Sequence, residues 1–438
     1  MRHPAAAGGC RDDDSAAAAP PGALTVDEPD EDLPTLLTPR DGVPPLIDTD
    51  AGFEAMIAAL AEGDGPVGID TERAHGFRYY PKAWLIQLRR HGGGTFLLDP
   101  VALAPDDELA DLSSLRDAIG QAEWIIHAAT QDLPCLVEVG LMPTRLFDTE
   151  LAGRLLGYPR VSLGAMVERF CGVRLLKEHS AADWSTRPLP EEWLVYAALD
   201  VELLGELRDA MAAELVAAGK DGWAQEEFAA LVADAGTPRP PREEPWRRVS
   251  GLHDIRGRRQ LAIVRELWTA REDLAARRDK APGRILHDRV IIAAASRPDL
   301  TAGNLAELSG FRKGVAKRYL NVWSDAVRRV ETMRPEDYPS VRAARRGPGA
   351  PRTWQGHNPE AYARFVATRE VLVRIAEEHS VPPENLLSPD SWHQLCWDPP
   401  ASPSPVAIDE RLTEAGARRW QRELTREALA AVLASDRG

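Results

Sequence analysis

One proline-rich stretch does most to decide what this chain can fold into. Residues 235–250, AGTPRPPREEPWRRVS, are dense in proline and charge and read as a linker. Proline fixes φ and removes a backbone donor, so neither a helix nor an interior strand runs through such a segment. The two sides of it have different periodicities. Before it, FEAMIAALAE, PVGIDTE, AWLIQLRR, a GGG turn, TFLLDP, ELADLSSLRDAI and EWIIHAA alternate helical and strand patterns. That order predicts an α/β domain over 46–235, a mixed sheet with flanking helices. After it the strand signals stop. LAIVRELWTAREDLAARR, VIIAAAS and VAKRYLNVWSDAVRRV have helical spacing and are separated by APG, RPDL and SGF, so 251–335 predicts an all-α bundle.

A second linker over 336–359, containing RAARRGPGAPRTWQGHNP, leads to renewed helical character at 360–438. ARRDKAPGRILHD at 276–288 is echoed by AEEHSVPPENLLSPD at 376–390 at an offset of 100, and GVAKRY at 314 by GARRW at 416. The echo predicts two copies of one helical module, the second degenerate. Because linkers carry few contacts across a boundary, a fragment ending at the 236–250 linker is expected to fold alone.

The first 45 residues, with AAAAPPGAL and TVDEPDEDLP, have too little apolar surface to offset ordering entropy and are expected to be disordered. They carry much of the acidity behind a formal net charge of −15. Residues 251–350 run the other way, with 21 Lys/Arg against 12 Asp/Glu, which suits a nucleic-acid footprint or a solvated helical face. No apolar run is long enough to span a membrane and no basic flank precedes an apolar leader, so a cytoplasmic protein is expected. The four cysteines form no CxxC, which argues against a disulfide framework or thiolate metal site. GxxxxGK[ST] is absent, so no nucleoside triphosphate is expected as a partner.

PVGIDTE places Val67 and Ile69 on one face of a strand and Gly68, Asp70 and Glu72 on the other. Two carboxylates so placed repel unless a cation lies between them, and hard oxygen donors suit Mg²⁺ or Mn²⁺. Asp132 stands where an apolar strand ending at His127 gives way to a helix, a place that a helix N-terminus alone would also explain. In EEWLVYAALDVELL, Tyr196 and Asp200 lie one helical turn apart and address one point in space. Four carboxylates are enough for two divalent ions, the clamp for displacement at a phosphodiester, and the Tyr can hold the attacking water.

The ordered set GIDTE, HAATQD and YAALD resembles the three motifs of the DEDD exonuclease superfamily, in the subtype with a Tyr four residues before the last Asp. YYPKAWLIQL, LFDTELAGRLLGY and above all LLKEHSAADWSTRPLPEEWLVYAALDVELL are similar to the ribonuclease D family across 66–210. The resemblance implies an RNase H-like fold and a 3′ to 5′ exoribonuclease that trims structured RNA such as tRNA precursors, releases 5′-monophosphates and acts as a monomer. By motif matching, Asp70, Glu72, Asp132 and Asp200 would ligate two ions and Tyr196 would orient water. Lys177, Trp184 and Arg187 have types suited to phosphate and stacking contacts, although Trp184 equally suits a core; His127 and Gln87 complete the candidate substrate contacts. Arg73 stands where many relatives have an aromatic, and HAATQD lacks the wider superfamily's Asn.

RRQLAIVRELWTAREDLAARRDKAPGRILHDRVIIAAASRPDLTAGNLAELSGF is similar to the HRDC domain, a helical nucleic-acid-binding module. Its candidate phosphate contacts are Arg312, Lys313, Lys317 and Arg318. Two other readings remain at this point: a DNA-directed repair exonuclease, and a catalytically silent RNA-binding protein.

Overall fold

The computed structural model describes residues 33–104, 109–175, 181–237, 242–342 and 348–435. Eight strands are present among them: β1 (Thr35–Leu36), β2 (Leu46–Ile47), β3 (Asp64–Arg73), β4 (Ala83–His91), β5 (Gly94–Leu98), β6 (Glu123–Ile126), β7 (Arg145–Asp148) and β8 (Arg174–Leu175). Six form one mixed sheet in the order β2-β5-β4-β3-β6-β7. The central β3 pairs antiparallel with β4 and parallel with β6. Val67 and Ile69 are fully buried, as the alternation of PVGIDTE requires. The expected α/β architecture followed by helical bundles is the one observed.

Order begins earlier than expected. Thr35 and Leu36 pair in parallel with Arg174 and Leu175, and Leu46–Ile47 forms an edge of the main sheet. The rest of the predicted disordered tail, 1–32, lies outside the described residues.

The two helical modules share a layout. The first runs through Arg258–Arg278, Pro282–Ile285, Asp288–Ser296, Gly314–Arg318 and Leu320–Thr332. The second runs through Pro359–Glu378, Pro383–Leu386, Pro389–Trp397, Pro405–Glu414 and Arg419–Ser435. In each, a long helix ends at a left-handed residue, Asp279 with φ 44° or Ser380 with φ 48°, followed by a four-residue helix. The two left-handed residues stand 101 positions apart, one beyond the offset of 100 read in the sequence.

The cores divide differently from the sequence pattern. The first module has its own apolar core, including Leu261, Leu267, Phe311 and Trp323, and it takes in Trp246 from the expected linker. The second module has no separate main core. Leu372, Leu386, Leu412 and Leu429 belong to the cluster that holds Ile69, Trp124 and Phe147 of the sheet. Trp420 stacks on Trp223 with ring centroids 4.7 Å apart. Gly157 has φ 85°, and a Cβ there would lie 2.5 Å from the Ser380 carbonyl oxygen, so the joint between the two parts requires glycine. The expectation that a fragment ending at the 236–250 linker folds alone is thereby corrected: cutting there uncovers apolar surface that the second module covers. Part of the second expected linker is also structured, with Trp354 of Pro351–Gly356 buried against Phe365 and Trp397.

Candidate active site

The sheet and one helix bring three carboxylates together. Asp70 and Glu72 project from β3, and Asp200 from the helix Glu191–Glu202, which packs against β3, β4 and β5. One oxygen from each of Asp70, Glu72 and Asp200 lies within 4.8 Å of the others. Burial pushes the Asp70 and Glu72 carboxyls well above the usual range, and the neighbouring carboxylates add to the shift. Asp200 is raised to about 7, chiefly by burial, although the hydrogen bond from the Tyr196 hydroxyl acts the other way. The Tyr196 phenol is itself pushed far up by burial and then by the charges of Asp200, Glu72 and Asp70, so it stays protonated. Buried like charges this close are unfavourable unless a cation compensates them. An all-oxygen set without thiolate or imidazole fits a hard divalent ion such as Mg²⁺ or Mn²⁺.

Asp132 stands outside that group of three. It is the N-cap residue of the helix Leu133–Glu138, yet its side chain makes no capping bond there. Instead the Thr71 hydroxyl, between the two β3 carboxylates in sequence, donates to Asp132 Oδ1 at 2.6 Å. Burial raises Asp132 to about 6, while the Thr71 bond and the Arg73 charge act against the rise. Its charge in turn raises Asp70, Glu72 and Asp200, which places it beside them. Arg73 donates to the Gln131 backbone carbonyl at 2.8 Å and so clasps the segment bearing Asp132.

Asp148 was not singled out in the sequence. Its buried carboxylate accepts from four backbone N–H groups: Ala128 at 3.0 Å, Ala129 at 2.9 Å, Glu150 at 2.9 Å and Leu151 at 3.2 Å. It therefore caps the helix Thr149–Leu155 and shapes the turn that delivers Asp132, where Ala128 adopts φ 60°. The visible signal was an Asp closing the strand-like LFD before a helical ELAGRLL, the pattern of an N-cap.

A family model for a 3′-5′ exonuclease matches residues 44–216, one for the HRDC domain matches 260–327, and one for a 3′ to 5′ exonuclease C-terminal domain matches 347–433. Ribonuclease D of Acidiphilium cryptum is 34% identical over 277 residues, covering 62% of this chain and 68% of the relative. That of Jannaschia sp. is 32% identical over 300 residues, covering 66% and 75%. The chain belongs to the ribonuclease D family. A crystal structure of a protein from Bifidobacterium adolescentis is 39% identical with a TM-score of 0.84, covering 92% of this chain and 99% of that one. Escherichia coli RNase D shares the fold at 24% identity and a TM-score of 0.65, covering 89% and 98%. The protein is accordingly a 3′-5′ exoribonuclease of a metal-dependent nuclease fold. Among the described residues no helix is long and apolar enough to cross a membrane.

The candidate substrate contacts of this ribonuclease D-family chain fare unequally. Trp184 is fully buried against Trp193 and Tyr196, with centroids 5.1 and 6.3 Å away, so its ring packs behind the site. Arg187 spends its donors on Asp99, at 2.7 and 2.9 Å, and on the carbonyls of Trp84, Trp184 and Thr186, leaving none for phosphate. Gln87 is completely buried opposite Asp70 in the β3–β4 pairing, beneath the site. His127 shares a hydrogen bond of 2.8 Å with Thr149, and burial lowers its pKa to about 4, so it is a neutral brace. Lys177 lies outside the described residues. Arg312, Lys313, Lys317 and Arg318 are all exposed, on and just before the helix Gly314–Arg318.

Proposed function

We propose that the protein removes nucleotides singly from the 3′ end of structured RNA, tRNA precursors among them, releasing nucleoside 5′-monophosphates. In this reading residues 46–235 are the catalytic module and 251–335 and 360–438 are the two helical ones. The observation that carries the reading is the group Asp70, Glu72 and Asp200 with the Tyr196 hydroxyl on Asp200. These three, with Asp132, would hold two Mg²⁺ or Mn²⁺ ions. Such ions neutralise charge developing on phosphoryl oxygens and lower the pKa of water.

The chain's own residues then do four things. Thr71 occupies Asp132 Oδ1 and leaves the other oxygen for a ligand. Tyr196, kept neutral, is a positioner: its oxygen can accept from a water while its O–H donates to Asp200. Trp184 and Trp193 fix the Tyr196 ring from behind. Arg312, Lys313, Lys317 and Arg318 offer phosphate contacts that hold RNA without reading its bases. Support for structured RNA comes from Escherichia coli RNase D, an exoribonuclease involved in structured RNA processing.

The test uses end-labelled tRNA precursor and single-stranded DNA of equal length, with and without divalent metal. A metal-dependent ladder from the RNA 3′ end is expected. Thr71→Val should cost roughly 10–100-fold in activity, as loss of an outer partner does, and Asp70→Asn or Asp200→Asn more. Carboxylate variants that cut at wild-type rates would sink the site assignment.

A further inference from the structure

Of the 12 tryptophans, seven tyrosines and eight phenylalanines, only Tyr80 is exposed, at 51%. A lone exposed ring is ordinary on a protein surface. This one is held in place with unusual care. Its backbone N–H and that of Tyr79 donate to Asp279 Oδ1 at 3.2 and 3.1 Å, so the left-handed residue of the first helical module grips it. The Tyr79 ring packs on the apolar core of that module and meets Tyr80 edge-on at 5.1 Å. Phe77 adds a second fastening: its carbonyl accepts from the Ala281 N–H at 3.0 Å, and its ring lies 4.0 Å beneath the Arg284 guanidinium. Arg284 also donates to the Gly76 carbonyl at 2.7 Å.

The segment so fastened is the β3–β4 connection. It leaves β3 at Arg73, one residue beyond Glu72, and returns at Ala83, the pairing partner of Arg73. Its other flank reaches the stretch leading to Tyr196, through a 2.8 Å bond from Arg78 to the Ser185 hydroxyl. The exposed ring thus stands on the segment that links the strand bearing Asp70 and Glu72 to the first helical module. Lys82, two residues on, lies with its ammonium 4.7 Å from the Trp84 ring centroid and within reach of the Glu138 charge, whereas exposed Lys280, next to Asp279, makes no ion pair among the described residues.

We propose that Tyr80 is a stacking platform for a base of the single-stranded 3′ segment, upstream of the bond being cut, with Lys280 meeting its phosphates and Asp279 holding the segment in position. The proposal rests on the exoribonuclease reading and deepens it. An enzyme that steps along RNA needs a grip tolerant of sequence. Aromatic stacking and phosphate contact supply one, because every base has a π-face and every nucleotide a charge. The buried rings behind the site, Trp184 foremost, cannot serve.

The experiment uses the full chain and single-stranded RNA oligomers of graded length carrying 2-aminopurine at successive positions from the 3′ end. In wild type, fluorescence is quenched at one upstream position; Tyr80→Ala relieves the quench there and Tyr80→Phe keeps it. Tyr80→Ala raises KM about tenfold on oligomers long enough to reach the ring, with kcat little changed, and the penalty shrinks as the oligomer shortens. Asp279→Ala gives a smaller rise in KM, which Asp279→Asn, retaining Oδ1, avoids. Wild-type KM at every length together with an unchanged quench in Tyr80→Ala overturns the proposal. Failure of the exoribonuclease reading looks different, since wild type would then leave every oligomer intact.

Discussion

The two helical modules present the same elbow to the catalytic module and join to it by opposite means. At Asp279 a side chain reaches across to two backbone N–H groups of the β3–β4 connection, and the first module keeps a core of its own. At Ser380 it is the backbone carbonyl that meets the partner, accepting from buried Lys220 Nζ at 3.2 Å, while the apolar cores on either side merge. The rings of Trp223 and Trp420, and the bonds from Trp420 and Gln421 to Glu227 at 3.0 and 3.1 Å, complete that joint. One backbone shape thus serves either as a latch or as a weld, depending on what lies behind it. A polar latch contributes about 0.5–1.5 kcal/mol per hydrogen bond, whereas a shared core loses about 2–5 kcal/mol for a single large-to-small change.

The largest test of the contrast is removal of the weld. A chain ending at residue 342 should be insoluble or lack a cooperative melt, because the sheet cluster loses Leu372, Leu412 and Leu429. A soluble monomer with a near-wild-type melt would show the cores to be separable after all. Next in size, Trp420→Ala should destabilise by about 3–5 kcal/mol, read from the urea midpoint. Asp279→Ala should shift the same midpoint by about 1–2 kcal/mol. Equal shifts would erase the distinction between the two joints. The smallest effect concerns pH. Burial lowers the Lys220 pKa below its ordinary 10.5, so over the alkaline range beneath that value the unfolded chain binds more protons and stability should rise with pH. Wild type should gain on Lys220→Met between pH 8 and pH 10; parallel pH profiles would mean that the amine is not the group in question.

The carboxylates of the candidate site were legible because each sits in a short string whose spacing fixes its direction: Asp70 and Glu72 on one strand face, Tyr196 and Asp200 one turn apart. Arg187 misled for a physical reason. Its type suits phosphate, yet Asp99, far away in sequence, and three carbonyls consume its donors. Trp184 took the alternative that its type left open, the core. The merging of the second module with the sheet was hidden in the same way, since a proline-rich linker reports where the chain turns and not what packs together afterwards. Only distant partners decide such cases, and Thr71 with Asp132 is another.

Asp148 carries a lesson for anyone who would transplant this site. A designer working from the three motif strings would copy Asp70, Glu72, Asp132, Tyr196 and Asp200 onto a new scaffold and omit the carboxylate that binds Ala128 and Ala129 from beneath. Without those two bonds Ala128 would lose two of the restraints on its positive φ, and the turn that delivers Asp132 would be less firmly fixed. The smallest portable form of the site therefore includes a residue that belongs to none of the three motif strings.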